Sequence, residues 1–196
     1  LQSGEESLQA LTAMQRLSNA TLSRLPPDVA RPRYDRSAVA TGIVHLGLGA
    51  FQRAHQGVYT EAALNAGDHR WGIRGASLRS PAVRDALKPQ DGLYTLAVRG
   101  ADGERLQVIG AIKDVLVAPE NPAALLDALC NPSVMIVTLT VTEKGYCYDP
   151  ATTALDETHA DIMHDLANPA QPRSVPGFLV EALGRRHEAQ VPERML

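Results

Sequence analysis

A short apolar strand that runs straight into two glycines and then a helix leaves few folds open. Gly42-Ile43-Val44-His45-Leu46 is followed at once by Gly47-Leu48-Gly49, and a helical stretch comes next, from about residue 53 to 66. A glycine at the strand end permits a tight turn, and a second one lets a ligand approach the backbone. The helix that follows points free N–H groups and the positive end of its dipole at that ligand. A pyrophosphate is the usual occupant. The G-x-G-x-x-G pattern is incomplete, because Gln52 stands where the third glycine would fall. Ala54 is then the candidate for the close contact between helix and sheet. Taken alone, the turn fits nucleotide binding or a purely structural role.

The rest of the chain alternates strands with helices. Strand-like runs cover 71–78 and 112–117, and residues 93–98 and 105–109 flank a turn as a hairpin. Residues 134–141 are near-continuously apolar and β-branched, which suits a strand buried on both faces of a parallel sheet. Helices are expected over 81–87, over 121–129 with Asn121 as cap and Pro122 at its first position, over 158–167, and over 176–186. In the third of these, His159, Ile162, Met163 and Leu166 form one stripe. The order predicts a doubly wound α/β domain of Rossmann type over 37–196, with parallel strands and right-handed crossovers. Residues 1–36 read as an N-terminal arm. A leader helix over 5–23 is stopped by Pro26-Pro27, and an extended segment over 26–36 wraps the domain without entering its central sheet.

Composition excludes several classes. The net charge of −3 gives no pull toward nucleic acid, and 4% aromatics provide no stacking platform. No apolar run reaches the roughly 18 residues of a spanning helix, so no membrane partner is expected. The first residues, Leu1-Gln2-Ser3-Gly4, read as neither a signal nor a transit peptide. Cys130 and Cys147 form no CxxC pair, and a reducing cytoplasm is the expected compartment. His159 and His164 lie five positions apart, too far round a helix to share a metal, so no metal site is expected. No G-x-S-x-G elbow surrounds Ser77 or Ser133. His45 and His55 read as packed or hydrogen-bonded side chains. Cys147 reads as a plain half-buried thiol, with no histidine–acid pair in view.

The ribose partner of a dinucleotide belongs just after the second strand. Asp68 has the right count from Gly47 but falls before that strand, at the wrong end of the sheet. Leu78-Arg79-Ser80 stands at the right place and carries no carboxylate. Arg79, with Arg84 nearby, is placed to accept a 2′-phosphate, or is simply solvated. NAD and NADP both remain open on this reading. Arg53, next to the turn, fits either a phosphate contact or a solvated helix face.

Two longer segments carry a resemblance. Gly47-Leu48-Gly49-Ala50-Phe51-Gln52-Arg53-Ala54-His55 resembles the G-x-G-x-F-x-R-A-H signature of the polyol-specific long-chain dehydrogenases, which include mannitol 2-dehydrogenase and fructuronate reductase (mannonate oxidoreductase). Thr140-Val141-Thr142-Glu143-Lys144-Gly145-Tyr146 resembles the same family's T-x-T-E-K-G-Y segment. The resemblance implies interconversion of a polyol or aldonate with a ketose or keto-uronate, using a nicotinamide cofactor, NAD or NADP, and no metal. It implies that Gly47, Leu48, Gly49, Ala50, Phe51 and Arg53 hold the pyrophosphate and that Arg79 and Ser80 lie near the adenosine ribose. Thr140, Thr142, Glu143 and Lys144 would line the nicotinamide side, with Glu143 facing the catalytic cleft. The family's proton-transferring lysine and carbonyl-polarising residues come from later chain, so no catalytic residue is assigned here. The chain reads as an N-terminal portion, inactive alone, with self-association possible through the face a missing helical domain would cover. Two other readings stay open: a nucleotide-binding module without redox activity, and an α/β methyltransferase.

Overall fold

The computed structural model describes residues 16–101 and 103–189. Four parallel strands form the central sheet: β1 (Thr41–Leu46), β2 (Gly72–Ser77), β5 (Ile112–Val117) and β6 (Ile136–Leu139). Their order across the sheet is β5-β2-β1-β6. The chain therefore winds outward from β1 through β2 to β5, then returns to the other side of β1. That reversal between β1 and β6 is where open α/β sheets bind ligands, at the carboxyl ends of the strands.

Alternation along the strands builds two cores. Val44 and Leu46 of β1 face one way, onto α4 (Pro122–Cys130) and α6 (Val175–Glu188), with Leu125, Leu129, Phe178 and Ala182 fully or nearly fully buried. Ile43 faces the other way with Ile73 and Ile112, toward Leu64 of α2 (Gln56–Asn65) and Leu87 of α3 (Ala82–Leu87). Helices thus cover both faces, as the doubly wound reading requires. Asn121 caps α4 by accepting from Ala124 N at 3.0 Å. An antiparallel hairpin, β3 (Tyr94–Gly100) and β4 (Gly103–Ile109), interrupts the winding before β5. The short pair β7 (Tyr148–Asp149) and β8 (Ala154–Leu155) precedes α5 (Ala160–Ala167).

Three expectations change. The first long helix starts earlier, as α1 (Ala50–Ala54), and breaks at His55 before α2 begins. The break is in the His55 backbone, at φ −121° and ψ −81°, and the Phe51 carbonyl there meets both His55 N (3.1 Å) and the ring Nδ1 (2.8 Å). Strand β6 is shorter than expected and, among the described residues, pairs only with β1, so Ile136, Thr138 and Leu139 are half-buried. On α5, only Ile162 of the apolar stripe is buried. Met163 and Leu166 are exposed beside Val180 of α6 and Leu155 of β8, while His159 caps the helix.

Residues 5–15 of the expected leader helix lie outside the described residues. From 16 onward that segment holds a turn and one short 3-10 turn, Leu22–Arg24. The arm does wrap the domain. Ala30 bridges the hairpin strand β4, donating to Leu106 O (3.2 Å) and accepting from Val108 N (2.7 Å). Its lock is Glu61 of α2, a fully buried carboxylate. Tyr34 Oη and Gly110 N both donate to Glu61 Oε2 at 2.8 Å, and Asn65 Nδ2 donates to Oε1 at 3.2 Å. Burial pushes the Glu61 carboxyl up from its usual range, and these donors oppose the shift. Glu61→Ala orphans two donors in the interior and is expected to cost about 3 kcal/mol in urea unfolding. Amide exchange at Val108 should accelerate with it as the arm loosens, and unchanged exchange there would remove Glu61 from the lock.

Candidate coenzyme-binding site

The glycine turn is held by the strands on either side. Gly47 N and Leu48 N both donate to the Ala76 carbonyl at the end of β2, at 2.9 and 3.3 Å. On the other side, Thr140 N donates to Leu46 O at 2.9 Å. Gly47 has φ +85°, and any Cβ there would collide with the Thr140 carbonyl oxygen. The Leu48 side chain turns down and is buried against Gly75, where a Cβ would strike it. Leu48 therefore offers a ligand neither its side chain nor its amide hydrogen. Ala50 and Phe51 are exposed instead, and their amides, opening α1, have no intrahelical acceptor.

Beneath the turn, Gln52 is 1% exposed and neither of its amide atoms has a partner. Ala54, expected at the close helix–sheet contact, is exposed. The buried small residue is Gly57, one turn on, against the Tyr94 hydroxyl. That hydroxyl donates to Arg53 O at 2.7 Å, and burial pushes its pKa up. Among the described residues Arg53 Nη1 is buried without a partner.

His45 anchors the floor. Thr138 Oγ1 donates to Gln56 Oε1 at 3.1 Å, and His45 Nδ1 lies 2.7 Å from the same hydroxyl. A hydroxyl has one proton, so His45 Nδ1–H donates and Nε2 is left as a buried acceptor without a partner. Desolvation lowers the ring's pKa to about 4, against 6.5 for a free imidazole. The ring is neutral and packed, as the sequence suggested.

At the end of β6, Thr140 is half-buried, while Thr142, Glu143 and Lys144 are exposed on the 3-10 turn Glu143–Tyr146. Among the described residues Glu143 and Lys144 form no ion pair. At the end of β2, Arg79 and Ser80 are exposed. Arg84 is taken out of the ribose reading, because its guanidinium is held by Asp85 at 2.9 Å and by Glu120. Asp68 sits before β2, held by Arg70 and the Trp71 indole, which keep its carboxyl well below the usual range. A cavity of about 550 Å³ opens beside Arg79, lined also by Leu78, Ala118, Pro119, His164 and Arg173. Its Ala118 wall is tied to β2, where Ala118 N donates to Ser77 O at 2.9 Å, one residue past Ala76.

Cys147 has a histidine neighbour that the sequence did not reveal: His159 Nδ1 lies 3.7 Å from its sulfur. That nitrogen already accepts from Asp161 N at 3.2 Å, and burial pushes the thiol up, so the pair is no activated nucleophile. Lys113 donates to Arg36 O and Val39 O in the arm, away from the turn. Among the described residues no group of three or more His, Cys, Asp or Glu is placed to hold a metal, and no helix is long and apolar enough to cross a membrane.

Residues 41–194 match the mannitol dehydrogenase Rossmann domain. The chain belongs to the mannitol dehydrogenase family. It is 49% identical over 166 residues to the uncharacterised oxidoreductase YeiQ of Escherichia coli K12, covering 84% of this chain and 34% of that protein. It is 46% identical over 171 residues to the D-mannonate oxidoreductase of the same strain, covering 85% and 35%. The solved mannitol 2-dehydrogenase of Pseudomonas fluorescens, a ternary complex with NAD and D-mannitol, superposes with a TM-score of 0.86 at 41% identity, over 91% of this chain and 37% of that one. The chain thus spans about a third of the length of the mannitol dehydrogenase relatives it matches.

The neutral His45 fixes a pH dependence. Above about pH 6.5 the ring is uncharged in both folded and unfolded chains. As the pH falls toward about 4, the unfolded chain binds a proton that the folded one refuses, so stability drops. The expected loss is up to about 3 kcal/mol. Urea midpoints compared at several pH values should fall less steeply through this window for His45→Gln, and equal slopes would clear His45 of the effect.

Proposed function

We propose that this chain is the coenzyme-holding part of a nicotinamide-dependent oxidoreductase that interconverts a polyol or aldonate with a ketose or keto-uronate. The observation that carries this reading is the turn at the sheet's switch point. It is locked to β2 and β6, with two exposed amide-bearing residues, Ala50 and Phe51, facing the open side. The donor set suits a dinucleotide. Gly47, Leu48 and Gly49 shape the turn, and the amides of Ala50 and Phe51, with the unpartnered Arg53 Nη1, hold the pyrophosphate. Leu78, Ala118 and Pro119 give the adenosine an apolar seat, with Arg79 and Ser80 at its ribose. Thr140, Thr142, Glu143 and Lys144 form one wall of the nicotinamide side. A bound nicotinamide would accept the hydride in the oxidation and donate it in the reduction. The solved relative with NAD and D-mannitol in place supports the cofactor class and the substrate class.

Hydride transfer also needs a donor on the carbonyl oxygen and a group that moves a proton. Lys113 is tied to the arm, and the resemblance places those groups in later chain. The 196-residue chain alone is expected to bind NADH or NADPH in calorimetry and not to oxidise mannitol or mannonate. S-adenosylmethionine should not bind, because the end of β2 offers its ribose no carboxylate. Gly47→Val should abolish coenzyme binding in a chain whose sheet circular dichroism persists. Turnover by the purified chain, or binding of S-adenosylmethionine alone, would overturn the reading.

A further inference from the structure

The cavity beside Arg79 has two kinds of wall. Leu78, Ala118, Pro119 and Phe178 are apolar, and two arginines, Arg79 and Arg173, stand at its rim. They come from opposite sides: Arg79 follows β2, while Arg173 lies in the loop between α5 and α6. That loop is held in place. Arg173 N and Ser174 N donate to the two oxygens of Asp165, at 2.8 and 2.9 Å, and Ser174 Oγ donates to the second at 2.6 Å. The backbone carrying Arg173 is therefore pinned by a carboxylate that is itself 7% exposed.

Charge pairing distinguishes these two arginines from five others. Arg70, Arg74, Arg84, Arg99 and Arg185 each hold a carboxylate. Among the described residues no hydrogen bond or ion pair engages the guanidinium of Arg79 or of Arg173. The pocket's other charged groups are Asp161 and, on protonation, His164, whose Nδ1 is directed at Asp165 3.1 Å away. Two fixed positive charges thus face one carboxylate. The position after β2 where a ribose-gripping acid would exclude a phosphate holds Arg79 instead. Arg84, the next arginine along, on α3, is spent on Asp85 and Glu120.

We infer that the Arg79–Arg173 pair receives a phosphate on the ribose 2′-oxygen, so that this chain selects the 2′-phosphorylated coenzyme, NADP(H), over NAD(H). The inference rests on the dinucleotide reading above and adds to it a specificity residue, Arg173, nearly a hundred positions from the β2 loop. Guanidinium forks suit phosphate oxygens better than an ammonium does. The attraction is exposed to solvent, so salt weakens it.

Two small probes separate the questions. 2′,5′-ADP carries the extra phosphate, and 5′-ADP occupies the same seat without it. Calorimetric titration of the full 196-residue chain at low ionic strength should show 2′,5′-ADP binding at least tenfold more tightly than 5′-ADP, with the gap narrowing as salt is raised. Arg173→Ala should cut 2′,5′-ADP affinity about tenfold and leave 5′-ADP within twofold, while Arg173→Lys restores part of the loss; Arg79→Ala, beside the ribose itself, should lower 2′,5′-ADP affinity more than 5′-ADP affinity. Thermal melting of each variant checks that it remains folded. Equal affinity for the two probes, or an Arg173→Ala chain that keeps the preference, overturns the inference and leaves the dinucleotide reading standing. If neither probe nor coenzyme binds, the dinucleotide reading itself fails.

Discussion

One carbonyl oxygen organises the open end of this sheet. Ala76 O accepts from both Gly47 and Leu48, which ties the glycine turn to β2 before any ligand arrives. The Thr140 carbonyl closes the other side so tightly that only glycine fits at 47. The turn is therefore shaped by the sheet, and a ligand meets it already formed. Pre-organisation of this kind lowers the ordering cost of binding. It also divides labour within three residues. Leu48 plugs the core over Gly75 with its side chain and spends its amide on Ala76, leaving the next residues, Ala50 and Phe51, to face outward.

Beneath the turn the usual rules of a packed interior are relaxed. His45 Nε2, both amide atoms of Gln52 and Arg53 Nη1 are all buried without partners among the described residues. Each such group costs about 1–3 kcal/mol in a protein interior. Elsewhere the interior is well satisfied: Glu61 takes three hydrogen bonds and Asp165 takes four. Unmet polar groups gathered at one place, within eight residues of chain on either side of the turn, mark it as a site where stability has been given up. The His45–Thr138–Gln56 chain crosses the same region and joins β1, β6 and the start of α2. It stiffens β6, which has no second strand beside it among the described residues.

Much of this was legible in the sequence, because short-range physics decided it. The glycine turn after β1, the Asn121 cap and the hairpin are local features, and each stands where its residues predict. The features that escaped are those set by distant neighbours. Gln52 reads as an absent glycine, and only the fold shows that Gly57 takes over the close contact, against Tyr94. The helix break falls at a non-helical backbone conformation of His55, which the apolar period does not register. Arg84 looks as available as Arg79 until Glu120, from the end of β5, is seen to hold it. Cys147 and His159 lie on opposite sides of a small hairpin whose closure the spacing did not announce. The apolar stripe on α5 was read correctly as a stripe, but periodicity reports which residues share a face and not what covers it.

That uncovered face bears on how the chemistry must be arranged. Thr142, Glu143 and Lys144 at the end of β6 are exposed, and so are Tyr146 and Tyr148 just beyond them. Leu155, Met163, Leu166 and Val180 continue the exposure in apolar form on β8, α5 and α6. Water reaches the whole of this wall in the described structure. Hydride transfer to a carbonyl gains from a site that excludes water, where fixed dipoles act at low dielectric. If it receives a coenzyme as proposed, a wall this open would orient it without sheltering the reacting atoms. On the proposed reading, the strand ends of this domain carry the binding half of the task, and shelter for the reacting atoms would have to be packed across the Glu143 side of the sheet.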